Sequence, residues 1–92
     1  MLTDPNIVSQ ILINTIRTLY NETWLLGIGP EVELAYSCEA VFGVMPSEIV
    51  GVHTYKKGAG DGIWFRLKDD RVLDKTGAED DSDPGLYDTK VN

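Results

Sequence analysis

Cysteine and histidine are the scarcest of the reactive residues in this chain, with Cys38 and His53 the single examples of their types. One cysteine excludes an internal disulfide and agrees with a reducing compartment. Zinc sites are built from several cysteine or histidine ligands, so neither a metal nor any other cofactor is expected. A catalytic Cys–His or Ser–His pair would depend on one histidine in a β-like stretch, where such a residue is far more often structural. The chain therefore reads as a non-enzyme. His53 and Asp61 are the residues that an enzymatic role would have to use.

Long hydrophobic runs are also missing. The longest is far too short to cross a bilayer, and the start Met1-Leu2-Thr3-Asp4 lacks the basic residues of a secretory signal. The expectation is a cytoplasmic protein with no membrane partner. At this length a single domain hides about 60–65% of the surface of its unfolded chain, which argues against a wide cleft between subdomains.

Positive charge is nearly absent from the first half. Up to Glu48 the one basic residue, Arg17, stands against Asp4, Glu22, Glu31, Glu33, Glu39 and Glu48, net −5. From Ile49 to Lys75 six basic residues face four aspartates, net +2, and from Thr76 onward Lys90 faces five acids, net −4. A basic segment thus lies inside a chain of net charge −7.

That basic segment is also the most structured stretch of the sequence. Ile49 to Lys56 alternates β-branched residues with polar or small ones, Gly58, Gly60 and Gly62 turn the chain, and Ile63 to Lys68 alternates again. A turn at Asp69-Asp70 returns Arg71 to Lys75 as a third strand. Ile63, Phe65 and Leu67 are predicted to face the core, with Trp64, Arg66 and Lys68 on the outer face. The glycine run resembles a phosphate-cradling loop only superficially. It lacks the lysine and hydroxyl of a P-loop and leads into a strand rather than a helix.

Two helices are predicted ahead of this meander. Asp4-Pro5 is a helix start, because the carboxylate accepts a backbone N–H and proline at the first helical position loses no bond. Ile7, Val8, Ile11, Leu12, Ile16, Leu19 and Tyr20 then recur at helical spacing to about Trp24, while Gln10, Asn14, Arg17, Thr18 and Asn21 share the other side. Ile13 widens the apolar stripe, and the first helix is a candidate homodimer surface. Gly27-Ile28-Gly29-Pro30 restarts the chain into a second helix carrying Leu34, Cys38, Val41 and Phe42 on one face, with Gly43 as its C-terminal cap.

The segment from Phe42 to Ile49 admits two readings. It has the glycine, the small capping residue and the apolar spacing of a helix-turn-helix, in which residues 47–55 would be a recognition helix and the meander its wing. Against this, Glu39 occupies the position where close helix packing favours alanine or glycine, and Val50-Gly51-Val52-His53-Thr54-Tyr55 is made of poor helix formers. Strand is favoured. The expectation is an α+β domain over residues 1–76, with two N-terminal helices packed on a three-stranded antiparallel meander and a winged helix-turn-helix as the alternative. Residues 77–92 form an acidic segment, flexible or loosely docked, whose Leu86, Tyr87 and Val91 are available to pin it.

Two functions from different classes follow. The first is a non-enzymatic protein-binding module whose Glu31, Glu33, Glu39, Asp80, Asp81 and Asp83 dock on a basic surface of another protein. Small phage-type inhibitors of nucleic-acid-binding proteins act in this way, because carboxylates can stand in for phosphates in a basic groove. The alternative is a nucleic-acid-binding regulator using Tyr55, Lys57, Trp64, Arg66 and Lys68, by phosphate contact and base stacking. The acid excess of the rest of the chain repels nucleic acid at most approaches and ranks that alternative second. Asp80, Asp81 and Asp83 also lack the ligand spacing and the glycine of a calcium loop.

Overall fold

Asp4 opens the first helix as the sequence predicts. Its carboxylate accepts the Asn6 N–H at 2.9 Å and its carbonyl accepts the Val8 N–H at 2.9 Å, leading into helix α1, Pro5–Tyr20. The computed structural model describes residues 1–20 and 38–88. Val8, Leu12 and Ile16, one turn apart, are buried in the core, and Gln10, Asn14, Arg17 and Thr18 are exposed. A helix so rich in Ile, Val and Thr has little stability in isolation. Three buried aliphatic side chains at about 1.5–3 kcal/mol each decide that it forms here.

Of the two expected helices the structure describes this one long helix. Residues 38–42 are also helical, and the stretch from Pro30 to Ser37 lies outside the described residues. Gly43 closes the helical segment as predicted: its φ is 72°, and its N–H reaches the Glu39 carbonyl at 3.0 Å. Cys38, Phe42 and Val44 are buried.

The winged helix-turn-helix alternative is overturned, because residues 49–55, the heart of the would-be recognition helix, are strand. After Val44 a short 3-10 turn, Pro46–Glu48, is closed by Glu48, whose carboxylate accepts the Met45 N–H at 2.8 Å. Strand β1 then runs Ile49–Lys56, β2 runs Gly60–Leu67 and β3 runs Val72–Asp74. The sheet is antiparallel in the order β1-β2-β3, with Val52 opposite Phe65, His53 opposite Trp64 and Phe65 opposite Leu73. The β-branched side chains of Val50, Val52 and Thr54 prefer this pleated backbone to a helix. The Lys68 N–H donates to the Glu48 carbonyl at 2.9 Å, so pairing starts directly at the end of the 3-10 turn. Irregularities in the ladder fall between Ile49 and Gly51 and between His53 and Tyr55, leaving Val50 and Thr54 exposed.

The core lies between α1, the 38–42 segment and one face of the sheet. Phe65 and Val52 are fully buried there with Ile49, Leu67 and Leu73, and Phe42 meets Phe65 edge-on at 5.3 Å between ring centres. Ile63 is only half-buried at the rim of this face.

Residues 77–88, for which both a flexible and a docked reading were open, are docked. Asp74 organises the return: its carboxylate accepts from the Thr76 hydroxyl at 2.6 Å and from the Thr76 and Ala78 N–H groups at 2.8 and 3.2 Å. Gly77, at φ 87°, lies so close to the 38–42 segment that a Cβ there would stand 2.5 Å from the Val41 carbonyl oxygen. Glu79 then bridges Leu73 on the outer edge of β3, and Tyr87 bridges Lys56 on the outer edge of β1. A second piece of chain reaches that same edge of β1. Leu2 pairs with Val52 through reciprocal bonds of 2.8 and 2.9 Å.

Candidate docking surface

Alternation along β1 and β2 places His53, Trp64 and Arg66 on the sheet face opposite the core, as predicted for Trp64 and Arg66. The structure departs from expectation in what covers them. Tyr87, 6% exposed, lies on this face, with its ring 5.0 Å from the His53 ring and 6.0 Å edge-on from Trp64. The Lys56 ammonium and the Arg66 guanidinium each stand 5.5 Å from the centre of the Tyr87 ring. The face predicted to be solvated is therefore closed in part by the chain itself, and Trp64 and Arg66 are half-buried.

The acidic segment pairs with one cation of this face. Lys56 donates to Asp80 at 2.7 Å, with the two side chains 16% and 17% exposed. Asp80 also accepts from the Ser82 hydroxyl at 2.6 Å and the Ser82 N–H at 3.0 Å. Burial alone would raise the Asp80 carboxyl, but the Lys56 and Ser82 bonds outweigh it and hold the group well below the usual carboxylate range. Burial and the adjoining Asp80 carboxylate push the Tyr87 phenol up to about 12. Arg66 donates to the Asp70 carbonyl at 2.8 Å, and Arg71 pairs with Asp69 at 2.7 Å.

His53 is bound on both ring nitrogens. Nδ1 lies 2.8 Å from the Asp88 carboxylate, and Arg66 Nε donates to Nε2 at 3.2 Å. A guanidinium can only donate, so Nε2 is the acceptor and Nδ1 carries the proton. Burial is the main influence lowering the His53 pKa below 6.5, with Arg66 and the Met1 ammonium acting the same way and Asp88 opposing. Both ring nitrogens are thus engaged within the chain. At Cys38, burial first, and then the nearby Glu48 charge, push the thiol up to about 12.

Carboxylates, some paired and some exposed, collect elsewhere. The β2–β3 turn and the returning segment enclose a shallow depression of about 210 Å³, lined by Asp69, Asp70, Glu79, Asp80 and Asp81 against Arg66 and Arg71. Glu79, Asp81 and Asp83 are exposed, and Asp83 also accepts the Gly85 N–H at 2.9 Å. Of the acidic residues predicted to meet a partner, Asp80 and Asp81 line this depression and Asp83 follows them in the same segment. Asp80 is half-buried in its ion pair. Glu39 is exposed on the 38–42 helical segment and does not line the depression, and Glu31 and Glu33 lie outside the described residues.

Sequence reasoning missed Asp69, Asp70 and Glu79 as parts of the same surface. The available signal was the acid pair in the β2–β3 turn, which a returning acidic strand would have to pass. In the alternative basic set, Lys57 and Lys68 are exposed and Tyr55 is half-buried. Among the described residues no three histidine, cysteine or carboxylate side chains are grouped to hold a metal ion, and no helix is long and apolar enough to cross a membrane. Comparison with protein-family models, with curated proteins and with solved structures gives no match to this chain.

Proposed function

We propose that the protein is a non-enzymatic acidic docking module. Its carboxylates on the β2–β3 turn and on residues 79–83 receive a basic surface of another protein, in the manner of a phage-type inhibitor occupying a nucleic-acid-binding groove. The observation that carries this reading is the fate of the charges. Lys56 is spent on Asp80, Arg71 on Asp69 and Arg66 on a backbone carbonyl, while Glu79, Asp81 and Asp83 stand exposed. Paired cations attract phosphate weakly, whereas exposed carboxylates beside a depression can steer and orient an incoming arginine or lysine. Lys57 and Lys68 are exposed, but Tyr87 occupies the face on which bases would stack, which weighs against the nucleic-acid reading.

A deca-arginine peptide titrated against labelled protein at 50 and 300 mM salt is the test we would run. Amide shifts confined to residues 69–71 and 79–83, weakened by salt and by a Glu79→Gln/Asp81→Asn/Asp83→Asn variant, are expected. Shifts on Trp64 and Lys57 with single-stranded DNA, and none with the peptide, would reverse the assignment. Self-association through α1 is a separate proposal. It rests on Ile7, 45% exposed near the head of the helix, and is rejected if sedimentation at high protein concentration gives a monomer.

A further inference from the structure

We propose that His53 is a pH-sensitive latch that fastens both the 1–3 segment and the 86–88 segment to the outer edge of β1. The proposal is independent of the docking reading and stands on the geometry around one buried ring. Asp88, which takes the Nδ1–H of His53, also pairs with the α-ammonium of Met1 and accepts the Thr54 N–H at 3.3 Å. One carboxylate therefore ties together a histidine, the first residue and the exposed bulge of β1. On either side of it the backbone of the two segments is bonded to β1. Leu2 is joined to Val52, the Asp88 N–H donates to Tyr55 O at 2.8 Å, and the Lys57 N–H donates to Leu86 O at 2.8 Å.

The charged groups around the ring fix what protonation does. Arg66 faces it from β2 and the Met1 ammonium from the 1–3 segment, both cationic, and Asp88 faces it from the 86–88 segment as the one anion among the described residues. Tyr87 packs against the ring, and beyond Tyr87 the pair of Lys56 and Asp80 contributes no net charge. A proton added at Nε2 points at the Arg66 Nε–H, so a hydrogen bond becomes two donors and two cations at 3.2 Å. Arg66 is held on its other side by the Asp70 carbonyl, which restricts its retreat within the folded arrangement. Relief comes when the ring swings toward Asp88 or when the segment carrying Asp88 and Tyr87 lifts. Either motion disturbs the carboxylate on which the Met1 ammonium and the Thr54 N–H converge.

The sign follows from linkage. A histidine lowered below its ordinary 6.5 contributes stability that is complete above that pH and is lost as pH falls through the folded-state value. The latch is closed at neutral pH and loosens in mild acid. Asp88 is lowered from 3.8, with burial opposed and outweighed by the Met1 ammonium and His53, and so stays charged across that window.

The test is a titration of the labelled full chain from pH 8 to 4.5, followed at the single histidine ring and at the backbone amides. The His53 midpoint is expected below 6.5. Corrected hydrogen-exchange protection at Val52, Lys57 and Asp88 should fall as pH drops from 6.5 through that midpoint, with Leu67 at the end of β2 unchanged. His53→Gln keeps a donor for Asp88 without a titrating ring, and its protection at these amides should be flat from pH 7 to 5. Arg66→Met provides a second variant, and removing the cation at Nε2 should raise the His53 midpoint. A midpoint at or above 6.5, edge amides that ignore the His53 transition, or an unaltered pH response in His53→Gln each overturns the latch.

Discussion

Replacing Tyr87 by alanine should destabilise the fold by about 3 kcal/mol, because this side chain joins the returning segment to the sheet. Truncating a buried aromatic costs about 3–5 kcal/mol. The lower end applies because Trp64, Arg66 and Lys56 around Tyr87 are themselves only half-buried and can close in on the space it leaves. Its contacts with His53, Trp64, Lys56 and Arg66 are consistent with that figure, since aromatic pairs contribute about 0.5–1.5 kcal/mol and partly exposed cation–aromatic pairs about 0.5–1. A domain of this size has about 5–14 kcal/mol in total, so the variant folds with much of its margin gone. Each kcal/mol corresponds to about 4–8 °C in a domain this small, giving a fall in Tm of roughly 12–24 °C. Urea unfolding in a Trp24→Phe background makes Trp64 the sole indole and reports on the covered face directly. A loss under about 1 kcal/mol with unchanged Trp64 emission would mean that residues 79–88 do not depend on Tyr87, and the account of the covered face would be wrong.

The Lys56–Asp80 pair lies between the exposed and buried limits, so a double-mutant cycle with Lys56→Met and Asp80→Asn should give a coupling of about 1–2 kcal/mol. Because the Asp80 pKa is depressed in the folded state, its contribution is present above the unfolded value of 3.8 and lost as pH falls further. Acid unfolding curves of wild type and Lys56→Met should accordingly converge toward low pH, and parallel curves would dismiss the pair. Gly77→Ala combines a left-handed backbone with a clash against the Val41 carbonyl, and thermal melts should show a loss of about 2 kcal/mol or more. Gly58→Ala, left-handed but in open space, should lose less; equal losses at both positions would refute the close approach.

How far the sequence foretold this structure depends on the range of the interactions. The strands were legible because residues 49–56 and 63–68 alternate, and α1 because Asp4-Pro5 marks its start and Val8, Leu12 and Ile16 repeat at its period. Gly43 as a cap was legible for the same local reason. The covering of the outer face was not, because period-two alternation says only that His53 and Trp64 point away from the core. It does not say what they meet there. Lys56 and Asp80 are 24 positions apart, and an aspartate in an acid-rich, glycine-containing stretch looks solvated until its partner is placed beside it. Asp80, Asp81 and Asp83 were legible as an acidic run, whereas the approach of Asp69 and Asp70 in the β2–β3 turn to that run was not.

The outer edge of β1 is sealed by two separate pieces of chain, Leu2 at Val52 and Tyr87 at Lys56, each antiparallel to β1 and therefore running the same way, like one interrupted strand. An open strand edge is a template for pairing with another molecule. Here its protection depends on contacts between residues far apart in sequence, which form late in folding because their loop-closure entropy must be met first. The β1–β2 hairpin, closed by a turn of three residues, can assemble earlier with Val50, Val52 and Thr54 bare along that edge. Aggregation of this protein should therefore begin at β1, from species in which the sheet is built and the two closing segments are not yet in place.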